Sequence, residues 1–522
     1  MGELDLTLQR ILVGAAPVTA RDLPGLVREL EAAVAAGDDV TVAAACRALS
    51  RYEHIGEVSD ETATLWLRGL TGESADIRRA VANLVRRAMQ APQVASFLLT
   101  SRPLLDGLVL LVKDDDDAAA ADAAIFALAA AAAHAESPSS AGQLVSALMP
   151  LVPRSNVAKA ESVAAARLAS LVALLAGASD ATCHAVDASG LLAATLGMVT
   201  GSDDVLLQLA VLDVISPLAR SAAGYTALTK SGILLAVHSW AGIGVDSDVA
   251  VEPLLEDAAL AASVDMFAAL ARRDRAAAAA AAERTSIIRR VFGAVVAADV
   301  DGYGDEASAV RSIASLTALV TADADALHEA LASPRVASAW LGAGRASAPA
   351  ELQAAAFESV ARLLEAAAAR GALPPPSNGN SDSQSGASVP PLALQVVDAF
   401  GRESLGSGGD AVSAALTALR RPVPAPRAAA YHFLVALAAL PSESALRRLL
   451  GNAGAAELLL GGAQSEPTAE GREWRYDVIV AASRNPLLRA AVGDGIANAL
   501  VRLRQVGPHA AAAATHAVAT MH

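Results

Sequence analysis

Cys183 and His184 stand side by side with Asp187 three residues further on, the residue types of a nucleophile, its base and an orienting carboxylate. Their spacing argues against that use. Neighbouring residues of a helix point about 100° apart, so the pair cannot share a proton along one face. The sequence therefore predicts a small buried Cys183 beside a partly exposed His184, and a Cys-His hydrolase is the weaker reading. Asp299-Val300-Asp301-Gly302-Tyr303-Gly304 opens like a calcium loop, but Tyr303 and Val310 occupy the fifth and twelfth positions, where oxygen ligands are needed. A solvated turn between helices is the expectation there. His328-Glu329 begins like a zinc-protease helix, yet Ala332 stands in place of the second histidine. Lys113, Lys159 and Lys230 are the only lysines and none follows a glycine, which removes the phosphate-binding P-loop. Gly242-Ile243-Gly244 and Gly493-Asp494-Gly495 lack the third glycine of a dinucleotide fingerprint, and no Gly-x-Ser-x-Gly elbow is present. The reading is of a non-enzymatic chain with no catalytic, cofactor-binding or metal residues.

What remains is surface chemistry. The run Asp114–Asp117 suits a solvated helix N-terminus, where carboxylates complement the helix dipole, better than an acidic docking patch. Arg78-Arg79 with Arg86-Arg87, and Arg272-Arg273 with Arg275, could line a groove for an acidic tail; exposed solubilising faces are the plainer reading. Trp474, flanked by Arg472 and Arg475, is the best interface anchor, and Trp474 with Arg475 forms the candidate partner-binding pair. The alternative for Trp474 is a core position. Lys and Arg total 40 against 55 Asp and Glu, a net charge of −15 with no basic block, which argues against nucleic acid as a partner. Cys46 and Cys183 cannot build a disulfide framework. Met1-Gly2-Glu3-Leu4-Asp5-Leu6 has no signal-peptide shape, and the uncharged run from Gln505 to His522 is too weakly apolar to span a membrane. A soluble cytoplasmic protein, with the nucleus as a second location, is the expectation.

These residues must be positioned by helices. Ser189-Gly190-Leu191-Leu192 reappears 42 residues later as Ser231-Gly232-Ile233-Leu234, and Asp106-Gly107-Leu108-Val109 is read as opening an earlier unit of the same kind. Leu84, Leu128, Leu171, Leu212, Phe267, Leu316 and Val360 mark one longer helix per unit. A period of roughly 40–47 residues without strand-like alternation predicts an all-α, armadillo/HEAT-like helical repeat solenoid. Ser202-Asp203-Asp204 should cap a helix whose buried stripe is Val205, Leu209 and Leu212, ending at Pro217. In another helix Leu352, Ala356, Val360 and Leu363 form the buried stripe, with Glu358 four residues ahead of Arg362 on the outer face. Residues 371–391, rich in Pro, Ser, Asn and Gly, read as a disordered insertion. It separates an N-terminal repeat array over 1–370 from a C-terminal array over 392–522 with a frayed Ala-rich end. Gly406–Gly409 reads as a shorter flexible joint.

The C-terminal half carries a more specific likeness. Ala348-Pro349-Ala350-Glu351-Leu352 with Phe357-Glu358-Ser359-Val360, the layout from Asp410 through Pro422-Val423-Pro424 to Phe433, and Arg475-Tyr476-Asp477-Val478-Ile479-Val480-Ala481-Ala482-Ser483 together resemble repeats of the 26S proteasome non-ATPase regulatory subunit 5 family. The resemblance implies an armadillo/HEAT-like assembly chaperone. Such a protein holds ATPase subunits of the regulatory-particle base with a large scaffold subunit, and leaves before the proteasome is complete. It implies a monomer before binding, with no membrane partner, and assigns no binding residues to particular positions. The rival is an armadillo-type peptide or cargo adaptor. Its usual ladder of asparagines along the groove is not apparent in the helices ending Leu-Ala-Ala, Ser-Pro-Leu-Ala and Ala-Leu-Ala-Arg.

Overall fold

The computed structural model describes residues 60–508 apart from 114–116, 136, 152–161, 201, 203, 245–251, 301–304, 370–391 and 462–465, with a few isolated positions before residue 60. Among the described residues there are 26 α-helices, two short 3-10 turns and no strand. The chain divides into two compact units, Met1–Ala241 with Asp248–Met266, and Gly242–Ser247 with Phe267–His522.

In the first unit Ala75–Ala88, Ala118–Ala133, Ser162–Ala178 and Val205–Leu218 pack side by side in that order, their starts 43 or 44 residues apart. Two shorter helices precede a long one where the repeat is best described: Pro92–Thr100 and Arg102–Val112 before Ala118–Ala133, then Asp180–Ala188 and Leu191–Thr200 before Val205–Leu218. In the second unit Glu306–Ala322, Ala350–Ala369, Pro424–Ala439 and Ala469–Arg484 pack in succession, and Leu488–Val506 closes against the last of them. Each unit is thus an all-α array of armadillo/HEAT-like repeats, as the period predicts. The insertion expected at 371–391 and the calcium-like residues 301–304 lie outside the described residues, as does Cys46.

The core is built on the predicted anchors. Leu84, Leu128, Leu171, Leu316 and Val360 are fully buried, and Leu212 and Phe267 nearly so. With few rings in the chain, the aromatic filling is local: Phe357, Phe400 and Phe433 interlock with ring centroids 5.0–6.0 Å apart. Polar links tie the repeats where hydroxyls are buried. Trp340 Nε1 donates to Ser359 Oγ at 2.8 Å, and the Thr317 and Ser359 hydroxyls meet at 2.6 Å.

Local signals hold where the backbone demands them. Gly190 and Gly232 adopt φ of 71° and 76°, the left-handed conformation that joins one short helix to the next in both copies of the repeated tetrapeptide. Asp204 caps its helix by accepting from the amides of Leu206 and Leu207.

Two expectations are corrected, and the glycine joint is described. Gly107 lies inside Arg102–Val112 rather than in a turn; a Cβ there would come within 3.2 Å of Leu67, so the glycine permits close helix packing. Gly406–Gly409 forms an exposed turn before Ala411–Leu419: Gly406 and Gly408 have φ of 92° and 88°, and only Gly409 abuts the backbone of Gly401. The buried stripe of Val205–Leu218 runs through Leu207, Val211, Leu212, Ile215 and Leu218, leaving Val205 and Leu209 half-buried. That helix is apolar nearly all round, so its sequence did not distinguish the inner face.

Candidate partner-binding site

Arg475 and Trp474 are adjacent on Ala469–Arg484, and the helix turns them to different surroundings. Arg475 is only 3% exposed. Its Nε and Nη2 donate to the carbonyls of Leu458 and Leu459, each at 2.7 Å, satisfying acceptors at the end of Ala453–Leu460. Burial pushes its pKa below the ordinary arginine value, against the opposing pull of Tyr431 and Glu466. The same interior pocket holds an ion pair, Arg427 Nη2 to Glu466 at 2.5 Å, with Glu466 3% exposed. Burial first, then Glu466, raises the Tyr431 hydroxyl far above its usual range. Arg475 is therefore part of the interior and not of a surface.

Trp474 is half-buried, its ring centroid 6.0 Å from that of Tyr431 at 44°. The two rings sit in a furrow of about 630 Å³ between Pro424–Ala439 and Ala469–Arg484. One wall carries Ala428, Tyr431, His432, Val435 and Ala439 at helical spacing; the other carries Trp474, Asp477, Val480, Ala481 and Arg484. Asn485 and Pro486 close one end. The Asn485 side-chain amide donates to the carbonyls of Ala438 and Leu440 at 2.9 and 2.8 Å, and its oxygen accepts from the Leu487 amide. Asp477 lies exposed on the rim, its carboxyl pushed above the ordinary value by partial burial and by Glu473 one turn before it.

The preceding step between long helices is bridged. His432 Nδ1 and Nε2 lie 2.7 Å from carboxylate oxygens of Glu358 and Glu365 respectively, both on Ala350–Ala369. The hydrogen bond with Glu358 leads the causes that raise the imidazole pKa from 6.5 to about 9, and the same contact lowers the Glu358 carboxyl. Sequence reasoning paired Glu358 with Arg362 and missed His432. The partner lies 74 residues away, and nothing local signals it.

The remaining candidates do not assemble a reactive site. Cys183 is buried, and burial first, then Asp187 and Asp180, pushes its thiol up to about 11, while His184 is exposed. Asp117 is 2% exposed and caps Ala118–Ala133 through the Ala120 amide. Burial opposes its ionisation, but that amide and Arg79, 3.3 Å away, outweigh it and hold the carboxyl below its usual value. Asp114–Asp116 lie outside the described residues. Arg86, Arg272, Arg273 and Arg275 are exposed, whereas Arg78 donates to the carbonyls of Gly72 and Glu73 and so closes a helix end. Among the described residues no cluster of His, Cys, Asp or Glu could hold a metal ion, and no single helix is long and apolar enough to cross a membrane. A second furrow, of about 680 Å³, runs between Pro138–Leu148 and Asp180–Ala188, with His184 and the 44% exposed Met149 on its walls, and it has no aromatic anchor.

Fold and furrow define an all-α repeat protein with an apolar, aromatic-anchored furrow between successive long helices. A family model for proteasome non-ATPase 26S subunits matches residues 33–369, nearly two thirds of the chain, and the protein belongs to that family. The match falls mostly on the Ala-rich first part and overlaps the residues that carry the specific resemblance only over 347–369. A comparison with curated proteins gave no match. Solved structures similar to the chain include an engineered protein from the Northeast Structural Genomics Consortium (15% identity, 88% of this chain and 99% of that one, TM-score 0.39). Uso1-2 is another (12% identity, 89% and 74%, TM-score 0.41).

Proposed function

We propose that this protein is a non-enzymatic assembly chaperone. It binds ATPase subunits of the proteasomal regulatory-particle base together with a large scaffold subunit, and is released before the particle is complete. Membership of the proteasome non-ATPase subunit family carries this reading. The likeness of 347–485 to repeats of the subunit 5 family narrows it from proteasome association to assembly. The furrow at Tyr431 and Trp474 is the partner surface favoured by this reading, since a half-exposed tryptophan against a buried tyrosine is the residue chemistry of an interface hot spot. The cytoplasm is its proposed place of action.

Purification of the tagged full chain followed by mass spectrometry tests this. Recovery of base ATPases without the 20S core is the expected outcome. Stoichiometric recovery of the whole 26S particle would make the protein a resident subunit, and recovery of nuclear cargo would favour the adaptor reading.

A further inference from the structure

The step from Ala350–Ala369 to Pro424–Ala439 passes over residues 370–391, where the sequence predicts a break between two arrays. Both sides nevertheless belong to one compact unit. They meet at a socket built on the 3-10 turn Gly342–Gly344. A Cβ on Gly344 would come within 2.5 Å of the Phe400 ring and 2.7 Å of Ser404 Oγ, so the glycine is what lets Leu392–Leu405 seat there. Ser404, 6% exposed, donates to the Leu341 carbonyl at 3.3 Å. Phe400 and Phe433 then close on Phe357, and all three rings are fully buried.

Polar side chains fasten the edges of this contact. Gln353, 1% exposed, uses its whole amide. Its NH2 group donates to the carbonyls of Gly344 and Arg345 at 3.3 and 3.4 Å, and its oxygen accepts from Arg421 Nη1 at 2.9 Å. Arg345 Nε donates to the Glu403 carbonyl at 2.9 Å, with the Glu403 carboxylate 3.7 Å from its Nη2. His432 reaches back to Glu358 and Glu365. These contacts join residues 58 to 74 apart in sequence, and each crosses 370–391. Buried rings at the centre with charged hydrogen bonds at the rim are the anatomy of an interface between separate proteins. Parting the two sides would put the rings in water and leave the buried Gln353 oxygen without its donor.

We infer that residues 392–508 are held on 334–369 by this interface and not by the covalent link through 370–391, so that a chain cut there remains one particle with its furrow in place. The link contributes an effective concentration on the order of millimolar, which an interface of this quality does not need. The polar contacts also fix the register, because Arg345 and Arg421 each have one acceptor to find, a condition that a sliding apolar contact would not impose. The inference rests on no reading of function.

A site-specific protease sequence substituted within 371–391 of the full chain provides the test. After folding and cutting, size-exclusion chromatography over a dilution series reads how far the two fragments stay together. They should co-elute at the volume of the uncut chain down to about 1 µM, with unchanged helicity. Gly344→Val drives a side chain into Phe400 and Ser404, and should raise the concentration at which the fragments part by at least about a hundredfold. Arg345→Ala with Arg421→Ala leaves the rings alone and should raise it about tenfold. Circular dichroism first establishes that each variant is helical before the cut; if Gly344→Val is not, the arginine pair decides. Parting of the wild-type fragments at about 1 µM would overturn the inference. So would fragments of the arginine variant that hold together as tightly as those of the wild type.

Discussion

Replacing Arg475 by alanine would strand the carbonyls of Leu458 and Leu459 in the interior and leave the Glu466 pocket with one cation fewer. The expected cost is about 2–3 kcal/mol, read from the urea midpoint, because charged hydrogen bonds to buried acceptors are lost and cannot be replaced by water. Trp474→Ala, half-exposed in the furrow, should cost about 1 kcal/mol or less while abolishing partner capture. A double substitution would mix the two effects, so the positions must be tested singly. His432 gives a pH signature. Its folded pKa of about 9 exceeds the ordinary 6.5, so the stabilisation is fully present below 6.5 and is lost as pH rises through about 9. On the acid side it fails once Glu358, whose pKa is lowered, takes up its proton. The melting-temperature gap between wild type and His432→Gln should therefore be wide near about pH 6 and close by about pH 10. A gap independent of pH would mean that His432 acts through packing alone.

At the scale of the element, what could be read in advance depended on whether the determinant was local. The Ser-Gly turns were legible because a left-handed residue between two helices leaves a fixed mark in sequence. Gly190→Ala and Gly232→Ala should each cost about 1–2 kcal/mol, and the pair should add, since nothing lies within 4 Å of either position to couple them. A loss well below that in thermal or urea melts would show that the turns relax. The stripe of Ala350–Ala369 was legible too, because its outer face is charged; Leu352, Ala356, Val360 and Leu363 are all buried. Val205–Leu218 offered no such contrast, and its inner face followed from packing. Gly107 misled for a related reason: an Asp-Gly pair marks a turn in one context and a close helix crossing in another, and the approach of Leu67 decides between them. Of the candidate site, Trp474 was found from its residue type. The furrow needed the register of two helices some 45 residues apart, and the fate of Arg475 needed the end of a third; neither is encoded near the residue itself.

For the molecule as a whole, the repeat architecture makes stability a sum of repeat terms and neighbour interfaces, so the consequence of a cut depends on the interface it exposes. Ending the chain after Ala369 removes every helix from Leu392 onward. Phe357 then loses Phe400 and Phe433, and Glu358 and Glu365 lose His432. The Ala350–Ala369 helix becomes an uncapped end with its aromatic face in water. The truncated chain should keep cooperative, helical melting, because the first unit and the Glu306–Ala322 contacts remain. It should also melt several degrees lower and self-associate with rising concentration. Extending the fragment through Ala439 returns both phenylalanines and His432. That longer fragment should recover most of the lost melting temperature while still failing to bind partners, since Trp474 and its wall of the furrow are absent. Sedimentation and calorimetry on the two fragments separate these effects. Complete loss of helicity on the shorter cut would mean that the array folds as a single unit rather than by neighbouring repeats. Full partner capture by the longer one would move the binding surface away from the furrow.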